Sequence, residues 1–203
     1  MDIAYLATAL IVVASPGTGV IYTLAVALGR GAAASAFAAF GCTLGIIPHM
    51  VAAILGLAAL MHTSAVLFQI VKFAGVAYLL WMAWNTLKET GLLDAAPERE
   101  RMSHTAIVRR GVLLNILNPK LSIFFLAFLP QFVPANAAAP TLTMVWLALI
   151  FMAMTFVVFV AYGLMAARMR GHVLRSPAVM TWLRRTFAAA FALLGLRLAL
   201  SAR

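Results

Sequence analysis

The chain is short of acid. Asp2, Glu89, Asp94, Glu98 and Glu100 are its only five carboxylates among 203 residues, and all five fall outside its long apolar runs. A proton carrier or cation site built from carboxylates in mid-membrane is therefore excluded, as are the acidic rings of cation channels. Cysteine is scarcer still: Cys42 stands alone, so there is no intrachain disulfide and no two-thiol relay. Charged residues of either sign make up 10% of the chain against 65% hydrophobic ones, with a mean hydropathy of +1.04. That balance rules out a water-soluble domain of this length. The net charge of +10 does not point to nucleic acid, because the basic residues gather in two connections and no base-stacking aromatics are interleaved with them.

What the sequence does have is apolar length. About 20 apolar residues cross the ~30 Å of bilayer hydrocarbon, and six runs qualify: about Ile3 to Leu28, Phe37 to Leu60, Ala65 to Leu87, Gly111 to Val133, Leu142 to Ala167 and the shorter Phe187 to Leu200. The runs are continuous and do not alternate with period two, which predicts helices and not a barrel. The expected fold is all-α, a polytopic membrane protein of six transmembrane helices. Met1 and Asp2 supply no basic lead-in to a cleavable signal, so the first run is expected to remain as a span.

Counting Lys and Arg orients the spans. Lys88, Arg99, Arg101, Arg109 and Arg110 follow the third run, and Arg168, Arg170, Arg175, Arg184 and Arg185 follow the fifth, while 134–141 and the surroundings of His62 carry no Lys or Arg. Both basic connections, and the one at Arg30, are expected in the cytoplasm, which places both termini on the outer side of the membrane. Ser15-Pro16-Gly17 interrupts the first run and Asn118-Pro119-Lys120 the fourth at a similar depth. Three spans per half means that such a repeat is inverted in the membrane, the plan of many secondary transporters. The first repeat is expected at about 1–90, a cytoplasmic loop at about 88–110, and the second repeat at about 106–203, all in one transmembrane domain.

Four ionisable residues lie within the runs: His49, Lys72, Lys120 and Arg197. Lys120 stands ten positions beyond Arg110, about 15 Å deep at ~1.5 Å per residue, where an ammonium needs a polar cavity, a partner or a lost proton. It reads as a binding charge for a substrate carboxylate or as a lysine bonded to backbone carbonyls freed at the Pro119 kink. Pro16 and Pro119 each remove a backbone donor, and half-helix ends at the midplane offer N–H groups to a carboxylate and C=O groups to an ammonium. Ser15, Pro16, Gly17, Asn115, Asn118, Pro119 and Lys120 are accordingly the candidate substrate-binding residues. Gly41, Gly45 and His49 recur every fourth position, the glycines allowing close helix packing. His49 is the candidate for proton coupling, with a carbonyl-bonded histidine as the plainer use. Lys72 and Arg197, near the ends of their runs, read as anchors, and Trp81, Trp84 and Tyr78 as interface residues.

The stretch Gly111 to Phe132 resembles the LysE/RhtB family of bacterial amino-acid exporters: Gly111, Asn115, Asn118-Pro119-Lys120, Phe124-Phe125 and Leu129-Pro130-Gln131-Phe132 are similar to its Asn-Pro-Lys helix and following Pro-Gln-Phe. Ser15-Pro16-Gly17, the Gly41, Gly45 and His49 series, Lys72 with Gly75 and Tyr78-Leu79-Leu80, and Gly195-Leu196-Arg197-Leu198-Ala199 extend the likeness over essentially the whole chain. The resemblance implies export of an amino acid or derivative, driven by protons or by exchange, without ATP; no cofactor and no metal are expected. Thr18 and Gly19 stand where the family continues Pro and then Asn, and Ile46 where many members carry Asp, which moves coupling toward His49 or substrate exchange. The expected partners are a small solute and lipid, not nucleic acid; homo-oligomerisation is left open. A membrane-embedded serine enzyme would need a base beside Ser15 or Ser122, neither of which has a Gly-x-Ser-Gly setting, so no enzymatic activity is expected.

Overall fold

The computed structural model describes residues 3–15, 17–61, 102–134 and 137–168, with scattered positions in 73–84 and 182–200. Among the described residues every regular element is helical. The third and sixth runs, with Lys72, Tyr78 and Arg197, and the acidic loop, lie almost wholly outside them, as does Pro16.

Helix α1 (Ile3–Ala14) turns Tyr5, Thr8, Ala9, Val12 and Val13 inward, the 3–4 spacing of one helical face. It stops before Ser15, and α2 (Thr18–Arg30) restarts after Gly17, whose backbone is extended. The axes of α1 and α2 differ by 54°. Gly31, at φ 87° and ψ −179°, separates α2 from α3 (Ala32–Leu44). A turn at Gly45 and Ile46 leads into α4 (Ile47–Met61), although Ala32–Gly56 still runs as one span. The second apolar run is thus less regular than its composition suggests. Pro48 has no N–H to offer the carbonyl of Leu44, and the ladder lapses there.

The second half begins with α5 (His104–Ile116), whose N-cap Ser103 accepts from the Ala106 N–H at 3.2 Å. A break at Leu117 and Asn118 leads to α6 (Pro119–Ile123), a π-helical turn Phe124–Phe128 and a 3-10 turn Leu129–Phe132. The bend across this break is also 54°. Pro130 cannot donate into the ladder, and Gln131 Nε2 serves the Ala127 carbonyl at 2.7 Å. The long α7 (Pro140–Arg168) packs against both halves, with Phe151 stacked on Phe124 at 4.5 Å and edge-on to Phe125 at 5.3 Å. Among the described residues two helices are long and apolar enough to cross a membrane, or four if each bent pair is one span.

The tightest packing is α3 against α5, where backbones nearly touch. A Cβ at Gly111 would lie 3.0 Å from the Ala38 carbonyl, one at Gly45 2.7 Å from the Val112 carbonyl, and one at Gly41 would overlap the carbonyl of Val108. Contacts also sort the helix ends. Tyr22 donates to the Ile107 carbonyl at 2.9 Å, Phe37 stacks on His104 at 4.2 Å, and Gly163 meets Ser35. The C-terminal ends of α2 and α7 and the N-terminal ends of α3 and α5 therefore share one side of the bundle, which carries Arg30, Arg109, Arg110 and Arg168, all exposed. On the opposite side Tyr5 donates to the Leu147 carbonyl and packs against Phe132, with no charged residue among the described neighbours. Helices α1 and α5 consequently run in opposite directions into their breaks.

Candidate functional site

The two breaks meet. Lys120, 6% exposed, sends its Nζ to the Val12 carbonyl at 3.0 Å, the Ser15 carbonyl at 3.0 Å and the Ser15 hydroxyl at 3.4 Å. The local sequence dictates this cradle. Val12 lies four residues before Pro16, which has no N–H for it. Ser15 Oγ donates to the Val12 carbonyl at 2.7 Å and so presents a lone pair to the lysine. The Ala14 carbonyl is taken by the Tyr162 hydroxyl at 2.8 Å. Three neutral oxygens thus match the three donors of an ammonium, and no carboxylate stands among the described residues.

The other break is built on the same rule. Asn115 precedes Pro119 by four, and its carbonyl lies 2.8 Å from His49 Nε2 while also accepting from the Asn118 N–H at 3.1 Å. His49 Nδ1 lies 3.2 Å from Ser122 Oγ. A neutral imidazole with its proton on Nε2 satisfies both contacts, donating to the carbonyl and accepting from the hydroxyl. A protonated ring would need only that Ser122 turn its hydroxyl from donor to acceptor.

Side-chain amides connect the two. Asn118 caps α6 by accepting from the Lys120 N–H at 3.1 Å, and its Nδ2 donates to Asn115 Oδ1 at 3.3 Å. Asn115 Nδ2 reaches across to the Cys42 carbonyl at 2.7 Å, in the turn before the Gly45–Ile46 interruption. Among the described residues no buried side-chain nitrogen or oxygen lacks a partner. Gly17 and Gly19 make room: a Cβ on Gly17 would lie 3.0 Å from Lys120 Nζ, and one on Gly19 2.7 Å from Asn115 Oδ1. A cavity of about 10 Å³ remains among Val12, Asn115, Asn118, Lys120, Thr155 and Phe159, room for about one water.

The structure therefore brings Ser15, Gly17, Asn115, Asn118 and Lys120 into one cluster, with Pro119 opening α6 directly after Asn118. His49 joins through the Asn115 carbonyl. Pro16 lies outside the described residues, and Gly41 and Gly45 sit at the α3–α5 contact. Sequence reasoning missed the carbonyls of Val12 and Cys42, the hydroxyls of Ser122 and Tyr162, and the α7 wall with Thr155. One signal was available for His49: like Lys120 it directly follows a proline, Pro48. The serine beside a base that an enzyme would require is present as Ser122 with His49, but His49 is at the same time tied to the Asn115 carbonyl.

A helical membrane protein with a lysine buried where two oppositely running broken helices meet has the build of a solute translocator. The family model for LysE type translocators matches residues 10–202, and the chain belongs to that family. It is 31% identical over 198 residues to an uncharacterized membrane protein of Vibrio cholerae, covering 97% of this chain and 95% of that one. It is 30% identical to the homoserine/homoserine lactone efflux protein of Salmonella typhi, over 97% and 94% of the two chains. With the leucine efflux protein of Klebsiella pneumoniae it shares 32% identity over 72% of this chain and 70% of the other. The latter two are efflux proteins by name. No solved structure gives a significant match.

Proposed function

We propose that the chain is a secondary exporter of a small α-amino solute, an amino acid or a close derivative, from the cytoplasm across the bacterial inner membrane. One observation carries the reading: a buried ammonium already sits in an oxygen cradle where two oppositely directed broken helices cross. The solutes in the relatives' names, homoserine, homoserine lactone and leucine, have a primary amine in common, and the lactone has no carboxylate. An oxygen cradle for an ammonium and a shared amine in those names both support recognition of that group.

The six-span plan, with inverted repeats at about 1–90 and 106–203 joined by a cytoplasmic loop at about 88–110, draws support from the reciprocal breaks. In each, the carbonyl four residues before the proline takes a polar side chain from the other half, Lys120 in one and His49 in the other. The gathering of Arg30, Arg109, Arg110 and Arg168 on one side supports a cytoplasmic face there, with both termini on the far side. Substrate contacts are assigned to Ser15, Pro16 and Gly17 of the first repeat and to Asn115, Asn118, Pro119 and Lys120 of the second. A cavity of about 10 Å³ does not hold an amino acid, so loading requires the halves to part, and rocking of one against the other delivers the solute outward. Proton entry or exchange of one solute for another provides the drive, with His49 the sequence candidate for the proton.

The test is efflux from cells preloaded with a panel of labelled amino acids and homoserine lactone, with and without the protein. Selective loss of one amine-bearing group from expressing cells is expected. Equal retention of every member of the panel overturns the reading.

A further inference from the structure

We propose that the oxygens of Val12 and Ser15 are the seat of the substrate's own ammonium, and that Lys120 is a built-in rival cation whose displaced proton is the one exchanged for substrate. This rests on the exporter reading, names the recognised group of the same site, and gives Lys120 the coupling role in place of a substrate contact.

The geometry leaves one place for one ammonium. Val12 O, Ser15 O and Ser15 Oγ lie 3.0, 3.0 and 3.4 Å from Lys120 Nζ, three acceptors for three donors. Two ammonium groups cannot share them, since like charges at hydrogen-bond distance repel strongly where water is sparse. Arrival of a substrate ammonium therefore lifts Nζ out of the cradle. Around it the described titratable groups are His49 on α4, Cys42 on α3 and Tyr162 on α7, with no carboxylate to receive a displaced cation. Of these, His49 and Tyr162 already donate to the carbonyls of Asn115 and Ala14. An ammonium taken from these oxygens sheds charge: one N–H bond of Lys120 breaks, the electron pair stays on Nζ, and the proton leaves to water on the cytoplasmic side. When the site opens outward the substrate departs, Nζ takes a proton from the outer side and returns to Val12 and Ser15. Each cycle carries one ammonium-bearing solute out and one proton in. A substrate without an ammonium has nothing to displace the lysine with.

The experiment uses the purified full chain and three probes: leucine, leucinamide, which keeps the ammonium and lacks the carboxylate, and N-acetyl-leucine, which does the reverse. Binding of leucine and of leucinamide to the wild type in weak buffer is expected to release about one proton each, with N-acetyl-leucine neither bound nor releasing any. In Lys120→Met both amines are expected to bind about tenfold more tightly, as the rival is gone, with no proton release and no uptake into vesicles driven by a pH gradient. If Lys120 instead held the carboxylate, the variant would lose leucine and keep leucinamide at wild-type strength, which overturns the inference. Gradient-driven uptake surviving in Lys120→Met overturns it as well and returns the proton to His49. Should the variant fail to fold, the wild type and His49→Gln decide: proton release on amine binding is expected from both, and its absence from either sinks the proposal. A wild type that binds and moves none of the amines defeats the exporter reading itself, an outcome distinct from all of these.

Discussion

His49 Nε2 lies 2.8 Å from the carbonyl of Asn115, the acceptor that Pro119 leaves without its helical donor. The imidazole does for the second break what the Lys120 ammonium does for the first, and it comes from the opposite half of the chain. Replacing His49 by Leu removes this bond and strands the Ser122 hydroxyl, so a loss of about 1 kcal/mol is expected. His49→Gln, with an amide that can still donate, is expected to lose less. Thermal unfolding midpoints of the two variants in detergent check this. A leucine variant as stable as the wild type would mean that the Asn118 N–H alone suffices for that carbonyl.

How much of this was readable beforehand depended on whether the cause was local. Lys120, Asn115 and Asn118 stand out in sequence because a proline inside an apolar run forces carbonyls open and a lysine there demands partners. Which carbonyls the lysine takes is set by where α1 crosses α6, and an apolar helix does not announce its crossing partner. The same holds for Cys42 and Tyr162, whose roles come from a backbone carbonyl and a distant helix. Pro48 was local and still passed over: the run Phe37 to Leu60 looked uniform by composition, while its proline already marked the turn at Gly45 and Ile46. The third and sixth runs lie almost wholly outside the described residues and stay with the sequence expectation.

Two glycines separate crowding from backbone geometry. A methyl on Gly41 would drive into the Val108 carbonyl of the facing helix, and backbone cannot swing aside as a side chain can. Gly41→Ala is expected to cost about 1–3 kcal/mol and to lower the yield of monodisperse protein. Gly56→Ala, whose methyl among the described residues would meet only Leu126, at 3.7 Å, is the matched control and should leave the yield unchanged. Equal losses in both would point to helix flexibility and not to the α3–α5 contact.

At Gly31 the opposite applies. A Cβ there meets nothing within 4 Å among the described residues, yet φ 87° with ψ −179° is a region that glycine occupies almost alone. Gly31→Ala is therefore expected to destabilise by about 1–3 kcal/mol through the backbone alone. The check is whether Gly31→Asn, equally bulky at Cβ, loses a similar amount. If Gly31→Ala unfolds at the wild-type temperature, the connection between α2 and α3 adopts another conformation.

Asn115 and Asn118 form the bridge between the two proline breaks, and their side chains should behave as one unit. Asn115 Nδ2 holds the Cys42 carbonyl, Asn115 Oδ1 receives Asn118 Nδ2, and Asn118 Oδ1 caps the N–H of Lys120. Asn118→Ala loses the cap, typically ~1 kcal/mol, and leaves Asn115 Oδ1 without its donor. Asn115→Ala frees the Cys42 carbonyl and the Asn118 amide together, so it should cost more. Because each single variant already breaks the shared bond, the double variant is expected to lose less than the sum of the two, by roughly 0.5–3 kcal/mol. Unfolding free energies of the four proteins give that difference directly. Strict additivity would mean that the 3.3 Å contact between the amides contributes nothing, and that each asparagine serves only its own helix end.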